Sequence, residues 1–91
     1  MNGVSQNKIA ELQKLLVLNR IKILTQLAKD DTCVCMMVDM LGMKHNLISH
    51  HLKTLLNLGY ITSNRNGQHI IYSLVSDKKD SVNELLKLIN R

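Results

Sequence analysis

Proline, phenylalanine and tryptophan are absent from this 91-residue chain, and tyrosine occurs only twice. Without aromatic faces the chain lacks the stacking platforms on which single-stranded nucleic acid is held. Without proline it has no proline-rich linker, and its segments are free to be helical. The longest apolar run, Cys33–Val38, has six residues, against the roughly 20 a helix needs to cross a bilayer. The opening residues carry no apolar signal region. These absences predict a soluble, cytoplasmic protein with no membrane partner. Two cysteines one residue apart do not make a secreted disulfide framework. There is no carboxylate cluster, no nucleophile beside a base and no glycine-rich phosphate loop, which argues against an enzyme.

Acid is the other absence. No Asp or Glu falls between Asp39 and Asp77, a stretch that holds Lys44, Lys53, Arg65 and all four histidines: His45, His50, His51 and His69. The remainder carries nine basic and seven acidic residues within a net charge of +5. A contiguous acid-free, basic segment is what a polyanion-binding surface requires. The apolar content of 45% excludes a disordered tail. The length fits one domain with a modest core, which association with a second copy would help stabilise.

Hydrophobic periodicity divides the chain. Residues 5–28 read as two N-terminal helices: Ser5–Leu18, with Ile9, Leu12, Leu15 and Leu16 at helical spacing, then Ile21–Ala28 after a break at Asn19-Arg20. Lys29–Thr32 is a polar break ending in N-cap residues. A third helix starts at Cys33 or Val34, carries the stripe Val34, Met37, Val38, Leu41, and stops at Gly42. A fourth runs from His45 to Leu58 and stops at Gly59. Residues 33–58 thus form a helix-turn-helix. Residues 60–75 read as a hairpin: strands Tyr60–Arg65 and Gln68–Val75 around Asn66-Gly67, a pair suited to a turn with φ > 0 at both central positions. Ser76-Asp77 is expected to cap a last helix, 77–91, with Val82, Leu85, Leu86 and Ile89 apolar. The order α-α-α-α-β-β-α describes a mainly α protein with a small β-hairpin, a single winged helix-turn-helix over residues 1–91.

The fourth helix can be tested by its angles. At about 100° per residue, Asn46, Ser49, His50 and Lys53 lie within about 140° of His45, while Ile48, Leu52 and Leu55 lie between about 280° and 340°. One arc seats the helix on the core. The other is short, polar, basic and free of acid, suited to base edges and phosphates in a major groove of a double-stranded DNA operator. An ordinary surface helix would mix Glu with Lys there. His51 falls at the edge of the apolar arc and reads as packed, so His45, Asn46, Ser49, His50 and Lys53 are the candidate DNA contacts. Arg65, at the tip of the hairpin, joins them as a wing contact.

Cys33-Val34-Cys35, Leu41-Gly42-Met43, the run Ile48-Ser49-His50-His51-Leu52-Lys53-Thr54-Leu55, Leu58-Gly59-Tyr60, and Asn66-Gly67 before Ile70-Ile71-Tyr72 together resemble the ArsR family of metal-sensing repressors, in order and spacing, over residues 12–75. The usual proline in the segment Leu18–Leu24 is missing. The resemblance implies a homodimeric transcriptional repressor released from its operator by a metal or metalloid. It also implies a dimer interface on the first and last helices: Ile9, Leu12, Leu16, Val82, Leu85, Leu86 and Ile89.

By the same resemblance Cys33 and Cys35 are the metal ligands. DNA binding itself needs no cofactor; the ion is an effector, and thiolates select soft ones: As(III), favoured here, Sb(III), Cd(II), Pb(II) or Cu(I). On a regular helix the two cysteines stand about 200° apart, so they can share an ion only if the first turn unwinds or was never helical. Val38 occupies the place of the family's third cysteine, so a small-molecule thiol, water or Met36 would have to complete the site. Met36, Met37, Met40 and Met43 hint at Cu(I), though Met37 lies on the core stripe and methionines commonly fill gaps. Three alternatives stay open: a redox- or persulfide-responsive repressor using the same cysteines, inert structural cysteines, and a winged helix that serves as a protein-interaction module.

Overall fold

The computed structural model describes residues 6–90. Helix α1 (Gln6–Leu15) and helix α2 (Leu18–Lys29) lead into a two-residue strand β1 (Thr32–Cys33). Helices α3 (Val34–Leu41) and α4 (His45–Leu58) follow. Strands β2 (Ile61–Asn66) and β3 (His69–Leu74) come next, then a 3₁₀ turn (Ser76–Lys78) and helix α5 (Lys79–Ile89). The antiparallel sheet has the order β1-β3-β2. The expected element order is present, with the extra edge strand β1.

The helix-turn-helix has the predicted bounds. Gly42 and Gly59 terminate α3 and α4 in the left-handed conformation, which a residue without Cβ adopts at no steric cost. Ile48, Leu52 and Leu55 of α4 are buried against Ile23, Leu24 and Leu27 of α2, Met37 of α3 and Val82 and Leu86 of α5 within one core cluster. Burying each such side chain contributes about 1.5–3 kcal/mol. The orientation of α4 is therefore set by its apolar arc.

Four boundaries differ from expectation, each for a physical reason. The break between the first two helices falls at Leu16-Val17, not at Asn19-Arg20, and Val17 is extended. Arg20 lies inside α2 because its guanidinium is spent on tertiary bonds: Nη1 donates to the Lys14 carbonyl at 2.6 Å and Nε to His51 Nδ1 at 3.1 Å. It thereby satisfies a C-terminal carbonyl of α1 and fixes the α1–α2 corner on α4. Ser5, the expected start of the first helix, lies outside the described residues. Thr32 does not cap α3: it is buried in β1, and its hydroxyl donates to the Asp30 carbonyl at 2.8 Å. Cys33 occupies the N-cap position, with extended backbone and no side-chain cap.

The hairpin turn sits one residue later than read. Asn66 pairs with His69, so the central residues are Gly67 and Gln68. Among the described residues only glycines have positive φ, Gly67 at 64°, which suits a turn with glycine at its first central position. The last helix is likewise not capped by Ser76 or Asp77. Those residues form the 3₁₀ turn, and α5 begins at Lys79.

Candidate nucleic-acid interface and thiol site

The outer face of α4 carries the predicted contacts. His45, Asn46, His50 and Lys53 are exposed and Ser49 is half-buried, with Ser49 Oγ 3.5 Å from His45 Nδ1. No acid occupies the first turn and no side chain caps the N-cap residue, Lys44. Among the described residues, ion pairs occur only as Lys8–Glu11 and Lys87–Glu84 on the terminal helices. Lys44, Lys53 and Arg65 form none, which leaves these cations available to phosphate. In β2 only Ile61 is buried. The rest of that strand, with Arg65, projects from the core as a wing beside the reading helix.

His51 turns the other way, as its angle predicts. It is 6% exposed, and burial, the Arg20 guanidinium and His50 hold its pKa below the usual imidazole range. Because Arg20 Nε donates to Nδ1, the ring is neutral with its proton on Nε2. The adjacent histidines therefore divide: His50 faces outward and His51 locks α4 to α2.

A second pair bond fixes α1. The Tyr60 hydroxyl donates to Glu11 Oε2 at 2.5 Å. Burial and that carboxylate push the tyrosine up to about 12, and the bond in turn holds Glu11 below the ordinary carboxylate range. Lys78 Nζ lies 5.1 Å from the centre of the Tyr60 ring. Sequence reasoning missed this contact, since nothing in either segment announces a partner 49 residues away.

The expected dimer residues split. Ile9, Leu16 and Ile89 are exposed, and Leu12 and Leu85 are half-buried. Val82 and Leu86 are buried in the protomer's own core. That edge of α5 covers α2 within the protomer. Leu88, at 64% exposure, was missed and belongs on the open edge.

The cysteines are brought together without unwinding any helix. Cys33 lies in β1 and was never helical; Cys35 is in the first turn of α3. The ligand atoms of Cys33, Cys35 and His69 all lie within 4.8 Å of one another, with Cys33 buried and the other two exposed. The Cys35 thiol donates to the Cys33 sulfur, which also accepts backbone N–H bonds near the α3 N-terminus, and Cys33 is held below the ordinary thiol range. Cys35 is raised by the same bond. Two thiols and an imidazole form a donor set for a soft or borderline metal ion. Met37 and Met43 are core residues, whereas Met36 and Met40 are exposed. The crevice beside the cysteines, about 280 Å³, is lined also by His45 and Ser49 of α4 and by Gln68 and Ile70 of the wing. The thiol site and the reading face thus share a wall.

A helix-turn-helix with an acid-free outer face, followed by a hairpin wing, defines a winged helix-turn-helix protein. Residues 19–63 match the family model described as bacterial regulatory protein, arsR family. The chain is 40% identical over 63 residues to the HTH-type transcriptional regulator NmtR of Mycobacterium tuberculosis, a match spanning 69% of this chain and 52% of NmtR. It is 29% identical over 72 residues to the arsenical resistance operon repressor of Staphylococcus xylosus, spanning 79% of this chain and 69% of that protein. The chain therefore covers about half the length of NmtR. Among solved structures, HlyU from Vibrio cholerae superposes with a TM-score of 0.83 at 22% identity, over the whole of both chains. The homodimeric winged helix-turn-helix DNA-binding domain Mb0332 from Mycobacterium bovis gives 0.73 at 24%, covering 99% of this chain and 90% of that one. Among the described residues, no helix is long and apolar enough to cross a membrane.

Proposed function

We propose that this chain is a homodimeric transcriptional repressor that binds double-stranded DNA and leaves its operator when Cys33 and Cys35 take up a soft metal or metalloid ion. The observation that carries the reading is the outer face of α4. His45, Asn46, Ser49, His50 and Lys53 sit together there without one carboxylate, and unpaired Arg65 stands on the adjoining wing. Ser49 and His50 present donors and acceptors to base edges; Lys53 and Arg65 meet phosphates. Two relatives are named as a transcriptional regulator and an operon repressor, which supports the same role. Ile9, Leu16, Leu88 and Ile89 supply apolar surface for a two-fold partner. A symmetric dimer would read half-sites about 34 Å apart.

The cysteines supply the switch. Their crevice is walled by His45 and Ser49, so drawing two sulfurs onto one ion acts directly on the N-terminal end of the reading helix. A thiol held below its ordinary range beside an exposed second thiol also suits a redox or persulfide signal. A disulfide within Cys33-Val34-Cys35 would close a small strained ring, so oxidation would join two chains instead.

The test begins with selection of bound sequences from a random duplex pool. Binding to the selected DNA should be tighter than to random DNA by at least about 10³-fold and should weaken steeply with salt. Enrichment of no sequence, with no salt-dependent binding, would contradict the reading and leave a protein-interaction module in its place.

A further inference from the structure

We infer that His69 of the wing is the third protein ligand of the thiol site, so that the site takes a divalent borderline cation, Zn(II) or Cd(II), in preference to As(III). The inference rests on the soft-ion reading above and goes beyond it by naming the ligand that the two cysteines lack.

The sheet register puts His69 there. Cys33 pairs with Ile71 and Thr32 with Tyr72. Residues two apart on a strand share a face, so His69 lies on the same side of β3 as Ile71 and diagonally beside Cys33. Cys35 follows in the first turn of α3, and its sulfur also lies within 4.8 Å of a His69 ring nitrogen. Strand β1 is too short to be seen in the periodicity, yet it joins the start of α3 to the root of the wing. His69 is exposed at the first position of β3.

Ligand chemistry selects the ion. Zinc–sulfur bonds of about 2.3 Å and zinc–nitrogen bonds of about 2.0–2.1 Å place tetrahedral ligand atoms roughly 3.5–3.8 Å apart. From separations of up to 4.8 Å the three atoms need close by little more than about 1 Å, within the reach of side-chain rotation. Two thiolates neutralise a divalent cation, and a neutral imidazole adds a third bond without adding charge beside buried Cys33. As(III) is left with one positive charge uncompensated by the same set, and an imidazole is a poor substitute for a third thiolate. No carboxylate lines the crevice, which disfavours Mg(II) and Ca(II). An ion held by Cys33, Cys35 and His69 ties the wing strand to the start of α3.

The experiment is a titration of the reduced full-length protein with Cd(II), with Zn(II) against a competing chelator, and with arsenite, followed by thiolate-to-metal ultraviolet absorption. Wild type should bind one Cd(II) per chain. His69→Gln should keep the thiolate absorption but bind Cd(II) and Zn(II) at least tenfold more weakly, with arsenite affinity changed less than twofold. His69→Cys should reverse the order, tightening arsenite at least tenfold. With ¹¹³Cd, the His69 ring nitrogen of the wild type should show coupling to the metal. Asn57→Ala, at an exposed position of α4 outside the crevice, should match wild type throughout. Equal Cd(II) and Zn(II) affinity in wild type and His69→Gln would overturn the assignment of His69 while leaving a two-thiolate sensor. Absence of binding by wild type to all three ions would overturn the soft-ion reading itself.

Discussion

Alanine at each of two neighbouring histidines should produce opposite losses. His51 is buried and accepts a 3.1 Å bond from Arg20. Its removal forfeits a charge-assisted hydrogen bond, worth about 1.5–3 kcal/mol, and leaves space in the α2–α4 contact. A loss of about 2–3 kcal/mol corresponds to a Tm lower by roughly 10–20 °C, at about 4–8 °C per kcal/mol for a domain of this size. His50 is exposed, and its replacement should leave Tm within the change of about 0.5 kcal/mol that surface substitutions produce. It should nevertheless weaken binding to selected DNA by about 1–3 kcal/mol, with little effect on random duplex. The pH dependence follows from the same burial. With its pKa depressed on folding, His51 binds fewer protons in the native than in the unfolded state. Stability should therefore fall as pH drops below about 6.5, the unfolded value, towards the lower folded pKa, and His51→Ala should flatten that fall. Thermal denaturation and fluorescence anisotropy on the same preparations decide the matter. A Tm loss shared equally by both variants, or an unchanged Tm for His51→Ala, would refute the orientation of α4.

Other expectations follow from the same geometry. Lys53→Ala and Arg65→Ala should weaken binding to selected and random DNA alike and reduce the salt slope by about one unit each, whereas Ser49→Ala should act on selected DNA alone; identical behaviour of all three would remove the division of roles. Leu16→Lys or Ile89→Lys, at exposed apolar positions, should dissociate the dimer in analytical ultracentrifugation while the monomer keeps its helical circular dichroism. A wild type that sediments as a stable monomer at micromolar concentration would contradict the dimer. Tyr60→Phe should destabilise by about 1 kcal/mol, read in urea, because Glu11 loses the hydroxyl that anchors α1; an unchanged midpoint would mean that bond contributes nothing net.

The elements written in local chemistry were legible from the sequence. Gly42 and Gly59 bracket the helix-turn-helix, and the angles of Ile48, Leu52 and Leu55 place the reading face. The boundaries that escaped were set by distant partners. Arg20 sits within a helix because it meets Lys14 and His51, and Thr32 is taken from its cap by a strand that exists only where β3 lies alongside. The same two-residue strand hid the proximity of His69 to the cysteines: it lies 34 residues from Cys35, and the pairing of β1 with β3 is a tertiary contact. The apolar faces of α5 were legible, but not which edge the protomer keeps for itself, since Val82 and Leu86 look like Leu88 and Ile89 in a helical repeat.

The most direct test of the account is one titration. Fluorescence anisotropy of a selected duplex bound by wild type and by Cys33→Ser should be followed under reducing conditions as Cd(II) is added. The account predicts at least a tenfold loss of wild-type affinity, a coupling of about 1.4 kcal/mol or more, and no loss for Cys33→Ser, which should bind metal-free DNA as wild type does. Full wild-type affinity at saturating Cd(II), Zn(II), As(III) and Cu(I) would contradict it.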